Sequence, residues 1–168
     1  MKTIYLAGGC FWGMQKFIDQ FDGVLETETG YANGPTEKAT YREVCDDLGH
    51  AETVRVVFDE KLLPPEKLLG FYFMVIDPLS VNRQGEDEGI QYRTGIYYAD
   101  ETLLPAIRAA CEAESAKCGK PIAVEVEKLA NFCPAEEYHQ KYLDKNPSGY
   151  CHIPKPFFDL NGSGGKKA

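Results

Sequence analysis

The chain has 168 residues, of which 43% are hydrophobic, enough for one domain with a packed core. A net charge of -8 argues against non-specific nucleic-acid binding, which depends on basic patches that face the phosphates. No stretch is apolar for long enough to cross a membrane, so no membrane partner is expected. The sequence enters its first apolar segment without a hydrophobic leader, and we therefore expect a cytoplasmic protein.

Hydrophobic periodicity divides the first half of the chain into three strands and two helices. Alternation of apolar and polar residues marks the strands, and Pro65 suits the first turn of the second helix. A segment rich in glycine, asparagine, proline and threonine, residues 31–40, predicts a long loop that can carry function. The predicted elements are strands over residues 3–7, 24–30 and 52–58, and helices over residues 11–20 and 66–75.

The second half begins with a polar loop over residues 77–91, whose length is typical of functional or disordered loops. After it we predict a strand over residues 94–98, an amphipathic helix over residues 101–117 that Gly119 can end, a strand over residues 123–129 and a short helix over residues 135–143. From Asp144 onward prolines interrupt the chain, which predicts irregular structure. The last residues, 161–168, are predicted to be a flexible tail.

The order of the elements predicts an α+β fold. Strand, helix, strand, strand, helix, strand is the order of the ferredoxin-like arrangement, a two-layer α/β sandwich with a split βαβ core. A further helix and strand follow that core, and long loops supply the functional residues. We expect a single domain over residues 1–160 with an irregular C-terminal tail.

The cysteines are irregularly spaced and contain no C-x-x-C pair. They stand at Cys10, Cys45, Cys111, Cys118, Cys133 and Cys151. In a reducing compartment such a pattern does not predict a framework of structural disulfides. The histidines do not fall at ligand spacings with these cysteines, so no metal site is predicted.

The run from Gly9 to Gly13, with Cys10, Phe11 and Trp12 between the glycines, is the strongest chemical signal of the chain. It follows a predicted strand and opens a predicted helix, whose unpaired N–H groups and dipole favour a thiolate over a thiol. A cysteine of low pKa beside exposed aromatic rings indicates a nucleophile with an apolar recognition pocket. A buried structural cysteine at a strand–helix junction would produce the same pattern.

Three further segments combine tyrosine, histidine, arginine and acidic residues. They are residues 40–52, with Tyr41, Cys45, His50 and Glu52; residues 82–94, with Asn82, Asp87 and Tyr92; and residues 138–151, with His139 and Cys151. Together with the Cys10 run, these segments closely resemble the peptide methionine sulfoxide reductase A family, in the same order and at similar spacing. The resemblance extends from residue 4 to residue 153, nearly the whole chain.

The resemblance implies a reductase that converts the S epimer of methionine sulfoxide, free or in proteins, to methionine. It implies that the Cys10 thiolate attacks the sulfoxide sulfur and that Glu52 protonates the oxygen. By the same resemblance, Tyr41 and Tyr92 donate hydrogen bonds to that oxygen. A glutamate that stays protonated near neutral pH needs an apolar pocket that raises its pKa.

The substrate pocket is assigned to residues near the nucleophile. Phe11 and Trp12 can supply the apolar surface that keeps Glu52 neutral, and they can hold the terminal methyl group next to the sulfur. The resemblance implies that Asp87 helps to orient the substrate. No cofactor is expected.

Recycling requires a second thiol, because Cys10 is left as a sulfenic acid after the oxygen transfer. The resemblance implies that Cys151 resolves it, from a segment with glycine and proline that can move towards Cys10. Thioredoxin would then reduce the resulting disulfide. Since no cysteine follows Cys151, two cysteines should complete the cycle. The catalytic domain, residues 1–160, is expected to be a monomer.

Two other functions stay open on the residue types alone. A cysteine hydrolase could use Cys10 as its nucleophile and His139 as its base; it would form an acyl-enzyme and would not need Cys151. A non-catalytic protein could bind methionine-rich segments through Phe11, Trp12 and the tyrosines. Such a protein would keep all its activity after the substitution Cys10→Ser.

Overall fold

The computed structural model describes residues 1–160. The strands, numbered in chain order, are β1 (Lys2–Ala7), β2 (Val24–Ala32), β3 (Ala51–Phe58), β4 (Arg83–Gln84), β5 (Asp87–Glu88), β6 (Gly95–Tyr98), β7 (Glu125–Lys128) and β8 (Phe132–Pro134). The α-helices are α1 (Phe11–Asp19), α2 (Tyr41–Cys45), α3 (Pro65–Met74), α4 (Leu104–Cys118) and α5 (Tyr142–Lys145). Short 3₁₀ helices cover Ile90–Tyr92, Glu101–Leu103, Glu137–His139 and Lys155–Asp159.

A mostly antiparallel sheet forms the centre of the molecule, with its strands in the order β7-β6-β1-β3-β2-β8. Strand β1 lies between β3 and β6 and is antiparallel to both, and β2 is antiparallel to β3 and β8. Strands β6 and β7 run parallel, while β4 and β5 form a separate hairpin. The predicted α+β class, with a central sheet and packed helices, is confirmed.

The main core lies between one face of this sheet and the apolar sides of α1 and α3. In the two central strands, Ile4 lies opposite Val56 and Leu6 lies opposite Val54. All four side chains are fully buried, and each contributes roughly 2 kcal/mol through its removal from water. The other face of the sheet carries a smaller buried cluster, which consists of three alanines and Tyr97. Strand β3 is therefore buried on both faces, which fixes the side chains that it carries.

The helices predicted from periodicity are found close to their expected bounds. Helices α1 and α3 begin and end within one residue of the prediction. Helix α4 ends at Gly119, which adopts a left-handed φ of 74° that glycine tolerates without strain. The first turn predicted for α4 is a 3₁₀ turn, Glu101–Leu103, before the α-helix begins.

The prediction of a helix over residues 135–143 was wrong. The chain there forms a 3₁₀ turn over Glu137–His139, and Lys141 then adopts a left-handed φ of 55° before α5 begins. Gln140 uses its side chain to bond the backbone N–H and carbonyl of Thr29 on β2, and the Lys141 N–H donates to the side chain of Gln15. These tertiary hydrogen bonds replace the helical ones, which local periodicity does not reveal.

Helix α2 and strands β4, β5 and β8 were not predicted. Helix α2 begins with a capping box, in which the Thr40 hydroxyl accepts from the Glu43 N–H and the Glu43 carboxylate accepts from the Thr40 N–H. The β4–β5 hairpin lies within the predicted loop over residues 77–91, and β8 pairs with the edge of β2. The capping box was readable in the sequence, whereas a two-residue strand leaves no periodic signal.

The predicted tail, residues 161–168, lies outside the described residues. Between residues 1 and 160, no helix is both long and apolar enough to cross a membrane.

Candidate active site

The turn between β1 and α1 places Cys10 at the N-terminus of the helix. Gly9 has a φ of +74°, in the left-handed region that glycine adopts without strain. Its N–H donates to the Tyr92 carbonyl over 3.2 Å, which joins this turn to the segment before β6. Cys10 is the N-cap residue of α1, as the sequence predicts, and only 8% of it is exposed.

Glu52, on β3, lies against the first turn of α1 and is 1% exposed. Its Oε1 accepts a hydrogen bond from the Phe11 N–H over 3.1 Å. Burial raises the pKa of Glu52 to about 8, although the hydrogen bond from Phe11 lowers it. The negative charge of Asp87 raises the pKa further. Most Glu52 carboxyls therefore keep their proton at neutral pH.

The Cys10 thiol does not have the low pKa that its helix position predicts; that expectation was wrong. Burial is the main cause that raises its pKa well above the usual value, and negative charge on Glu52 raises it further. The backbone N–H of Trp12 points at the Cys10 sulfur and lowers the thiol pKa. This contribution from the start of the helix is smaller than the effect of burial. Because protonation of Glu52 removes its charge, a neutral Glu52 makes the Cys10 thiolate easier to form.

Tyr41 and Tyr92 bring two phenols to the same place. Tyr41 opens α2, and Tyr92 ends the 3₁₀ turn before β6; both are half-buried. Burial is the main cause that raises the pKa of both hydroxyls. For Tyr41 the next cause is a hydrogen bond with Cys45, and negative charge on Glu52 and Cys10 raises the pKa of both phenols further. Both phenols therefore lie close to these two groups and keep their protons at neutral pH, so that each can donate a hydrogen bond.

The aromatic residues after Cys10 are held by stacking and by one hydrogen bond. Phe11 is 1% exposed and packs against Tyr31, so the expectation that it would be an exposed ring was wrong. The Trp12 ring is stacked on Tyr142 with centroids 3.7 Å apart, and its Nε1–H donates to His139 Nδ1 over 2.9 Å. The indole is thereby held in a fixed position two residues after Cys10.

His139 belongs to this aromatic cluster and not to a catalytic dyad. Its Nδ1 accepts from Trp12, and within residues 1–160 its Nε2 has no hydrogen-bond partner. Burial lowers the pKa of His139, which favours the neutral ring. The Cys10–His139 pair that a cysteine hydrolase would need is therefore not formed.

Glu136 is a residue of the site that the sequence analysis missed. One carboxylate oxygen accepts from the Tyr31 hydroxyl over 2.7 Å, and the other accepts from the Tyr41 N–H over 3.0 Å. Although burial raises its pKa, these hydrogen bonds leave the net pKa of Glu136 below its usual value. Glu136 thus stays charged and orients the first turn of α2. Its place inside a wrongly predicted helix gave no signal for this role.

Asp87, in the β4–β5 hairpin, lies at the backbone of Cys10. The Cys10 N–H and the Tyr150 hydroxyl both point at its carboxylate and lower its pKa, while burial has the larger effect and raises it. The hairpin thus lies against the turn that carries Cys10.

Cys151 packs against α1 one turn beyond Cys10. A Cβ placed on Gly13 would lie 2.5 Å from its Sγ, so the absence of a side chain at Gly13 makes room for this thiol. The Ile153 N–H donates to the same sulfur over 3.3 Å. Burial raises the pKa of Cys151, which is half-buried and lines a cavity of about 370 Å³. The structure thus brings the two cysteines to one side of α1 without bonding them, and all six cysteines are free thiols.

The part of the chain that the structure describes contains no group of three or more histidine, cysteine, aspartate or glutamate side chains placed to hold a metal ion.

A family model described as peptide methionine sulfoxide reductase matches residues 2–159. The chain belongs to this family. The resemblance inferred from the motifs is therefore confirmed. A related reductase, the MsrA of Lachnoclostridium phytofermentans, is 60% identical over 159 residues, which cover 94% of this chain and 96% of the relative.

Solved structures agree with this membership. The reduced form of Mxr1 from Saccharomyces cerevisiae is similar to this reductase with a TM-score of 0.84 and 37% identity, over 91% of each chain. Mxr1 in complex with Trx2 is similar with a TM-score of 0.59 and 26% identity, over 84% of each chain.

The buried carboxyl should make the stability of the reductase depend on pH. The pKa of Glu52 in the folded chain, about 8, lies above its ordinary value of 4.5, so the folded chain binds more protons than the unfolded chain between these values. The free energy of unfolding contributed by Glu52 therefore falls as the pH rises through this window. We expect Glu52→Gln to be more stable than the wild type above pH 8, by on the order of a few kcal/mol, and nearly equal to it at acidic pH.

Denaturant unfolding of both proteins across this pH range, with reductant present, measures the difference. Glu88→Gln, at an exposed position of β5, is the matched control and should show no such trend. A stability difference between Glu52→Gln and the wild type that stays constant with pH would contradict the raised pKa.

Proposed function

We propose that Cys10 is the nucleophile with which this chain, a methionine sulfoxide reductase, removes oxygen from free and protein-bound methionine sulfoxide. One observation carries the proposal: the buried, mostly protonated carboxyl of Glu52 is bonded to the first turn of α1, whose N-cap is Cys10. Family membership supplies the reaction. The pairing of a thiol with a neutral acid supplies the two roles that the reaction needs.

The oxygen transfer balances with these two groups. The Cys10 sulfur attacks the sulfoxide sulfur while Glu52 gives its proton to the oxygen, because a sulfoxide oxygen leaves poorly until it is protonated. The S–O bond of the substrate breaks, methionine is released and Cys10 becomes a sulfenic acid. The substrate sulfur is reduced and the Cys10 sulfur is oxidised. The thiol proton of Cys10 replaces the one that Glu52 donated.

Four further side chains belong to the proposal as substrate contacts. Tyr41 and Tyr92 donate hydrogen bonds to the sulfoxide oxygen, and their closeness to Glu52 supports this role. Phe11 and Trp12 are proposed to hold the terminal methyl group, which requires the buried Phe11 ring to become accessible when the substrate binds. The fixed position of the indole, stacked and hydrogen-bonded, supports its use as a rigid wall.

The pocket should accept only the S epimer at sulfur. A site that fixes the methyl group, the oxygen and the carbon chain at three distinct places is chiral at sulfur. Asp87 is proposed to orient the substrate end of this pocket, and its contact with the Cys10 backbone supports a place beside the reacting sulfur.

Cys151 is proposed to resolve the sulfenic acid as a disulfide with Cys10. Its position against Gly13, one helical turn along α1, supports this step. Thioredoxin would reduce the disulfide by thiol exchange, and the known complex of the yeast relative Mxr1 with Trx2 supports this kind of donor. A cytoplasmic location belongs to the same proposal, since such recycling needs a reducing compartment.

We also infer that the core is the ferredoxin-like split βαβ arrangement. The order β6-β1-β3-β2 supports this assignment, with β3 lying antiparallel between β1 and β2 and α1 connecting those two strands. Residues 1–160 are proposed to act as one catalytic domain and as a monomer; the continuous sheet supports a single domain.

The roles of Cys10 and Glu52 are tested together. Cys10→Ser should abolish reduction with every reductant, because an alcohol is a poor nucleophile towards sulfur. Glu52→Gln keeps a hydrogen-bond donor but cannot transfer a proton, so the rate of the first turnover should fall by about 100-fold or more while substrate binding changes little. Stopped-flow measurement of methionine formation separates the two effects. Turnover by Cys10→Ser, or a wild-type rate for Glu52→Gln, would overturn the respective role.

Loss of the resolving thiol should separate the two halves of the cycle. Cys151→Ser should reduce one equivalent of sulfoxide at the wild-type rate and then stop with thioredoxin as the donor, because no disulfide can form. Dithiothreitol should partly restore turnover by attacking the sulfenic acid directly. Cys133→Ser is the matched control and should recycle normally. Peptide mapping that finds Cys10 linked to Cys45 or Cys133 would refute the assignment of Cys151 alone.

A further inference from the structure

His152 directly follows Cys151 and is buried beside the turn that carries the nucleophile. Its side chain is 6% exposed. A Cβ placed on Gly9 would lie 2.7 Å from its Cε1 and 2.9 Å from its Nε2, and one placed on Gly85 would lie 3.5 Å from its Cβ. The imidazole therefore fills the space between the residue before Cys10 and the β4–β5 hairpin.

The polar atoms of this imidazole are unpaired. Within residues 1–160, neither ring nitrogen of His152 has a hydrogen-bond partner, and Oδ2 of Asp87 has none either. His152 Nδ1 and Asp87 Oδ2 face each other over 3.7 Å, slightly beyond hydrogen-bond distance. Buried polar groups are almost always hydrogen-bonded, and these two lie so close that a small movement of either segment would bring them into contact.

We propose that His152 is a positioning residue for disulfide formation: as the segment 149–153 closes on Cys10, its Nδ1–H pairs with Asp87 and holds Cys151 against the oxidised nucleophile. The inference rests on the proposed roles of Cys10 and Cys151. The Cys10 N–H already points at the Asp87 carboxylate, so the new hydrogen bond ties the segment that carries Cys151 to the turn that carries Cys10. Burial lowers the pKa of His152, which leaves a neutral ring with one N–H to donate.

The step that this contact assists is the condensation of two sulfurs. The Cys151 sulfur attacks the sulfenic sulfur of Cys10, an S–S bond forms and the S–O bond breaks. The hydroxyl leaves as water with the thiol proton of Cys151. The Cys151 sulfur is oxidised and the Cys10 sulfur is reduced, so no outside reactant is needed. The attack requires Cys151 to move from its place at Gly13 towards Cys10, and a contact that holds the moved segment raises the rate.

Two variants separate the effect of the shape of the His152 ring from the effect of its hydrogen bond. His152→Phe keeps an aromatic ring in the space beside Gly9 but removes the donor to Asp87, and His152→Asn keeps a donor. Ile153→Val is the matched control, since it trims a buried side chain of the same segment. Each protein is fully reduced and mixed with excess methionine sulfoxide without reductant. Quenched samples give the methionine formed, the Cys10–Cys151 disulfide by peptide mapping, and the Cys10 sulfenic acid by its dimedone adduct.

We expect all four proteins to form the first equivalent of methionine at similar rates. Disulfide formation should slow by about tenfold to a hundredfold in His152→Phe, with accumulation of the sulfenic acid, and by less in His152→Asn. Ile153→Val should behave as the wild type.

A wild-type rate of disulfide formation in His152→Phe would overturn the proposal. Equal slowing of methionine formation would also overturn it, because His152 would then serve the substrate site or the fold. If His152→Phe fails to fold, His152→Leu, which also removes the donor, decides: a full first turnover followed by disulfide formation at the wild-type rate refutes the role. A wild type that forms no Cys10–Cys151 disulfide would instead refute the proposed role of Cys151.

Discussion

A hydrogen bond of 3.1 Å from the Phe11 N–H to the Glu52 carboxyl joins the first turn of α1 to the centre of the sheet. It places an acid that is 1% exposed beside a thiol that is 8% exposed. Water is largely excluded from both groups, so burial opposes the charged form of each. The arrangement is stable because the carboxyl keeps its proton, and that same proton is what a sulfoxide oxygen needs as it leaves. The fold and the proposed reaction therefore both require Glu52 to be protonated.

Several polar groups around the site are satisfied by residues that take no part in the proposed reaction. Glu136 receives hydrogen bonds from Tyr31 and from the start of α2, which fixes Tyr41 near the acid. His139 receives the indole N–H of Trp12. These contacts hold the aromatic residues in place without placing another charge next to Cys10. In the proposed reaction, such preorganised contacts would lower the cost of bringing the sulfoxide to the Cys10 thiol.

The sequence was sufficient to predict the position of Cys10 but not its environment. Two glycines after an apolar strand, followed by helical periodicity, indicated that the cysteine would cap a helix, and it does. The low thiol pKa inferred from that position was wrong, because burial by distant segments outweighs the local helix effect. Phe11 was expected to be exposed beside Cys10, and it is buried. The residues around a helix end therefore predict where the helix begins, but they do not predict how deeply its side chains are buried.

Tertiary contacts also explain what the sequence did not predict around the site. Gln140 bonds to Thr29 of β2, so the chain forms a turn where the sequence predicted a helix. This turn places His139 against Trp12. Glu136 acts through partners about 100 residues away along the chain, which no local pattern encodes. The capping box at the start of α2, by contrast, could have been recognised from Thr40 and Glu43.

The protonation state of Glu52 is the centre of this account, and it can be measured directly. Carboxyl resonances of the reduced protein, labelled with ¹³C at the glutamate side chains, are followed by NMR across a pH titration. The signal that is missing in Glu52→Gln belongs to Glu52. The account predicts that this carboxyl titrates with a pKa of about 8. A titration near the ordinary value of 4.5 would mean that Glu52 is charged at neutral pH, and it would contradict the role of Glu52 as a neutral acid.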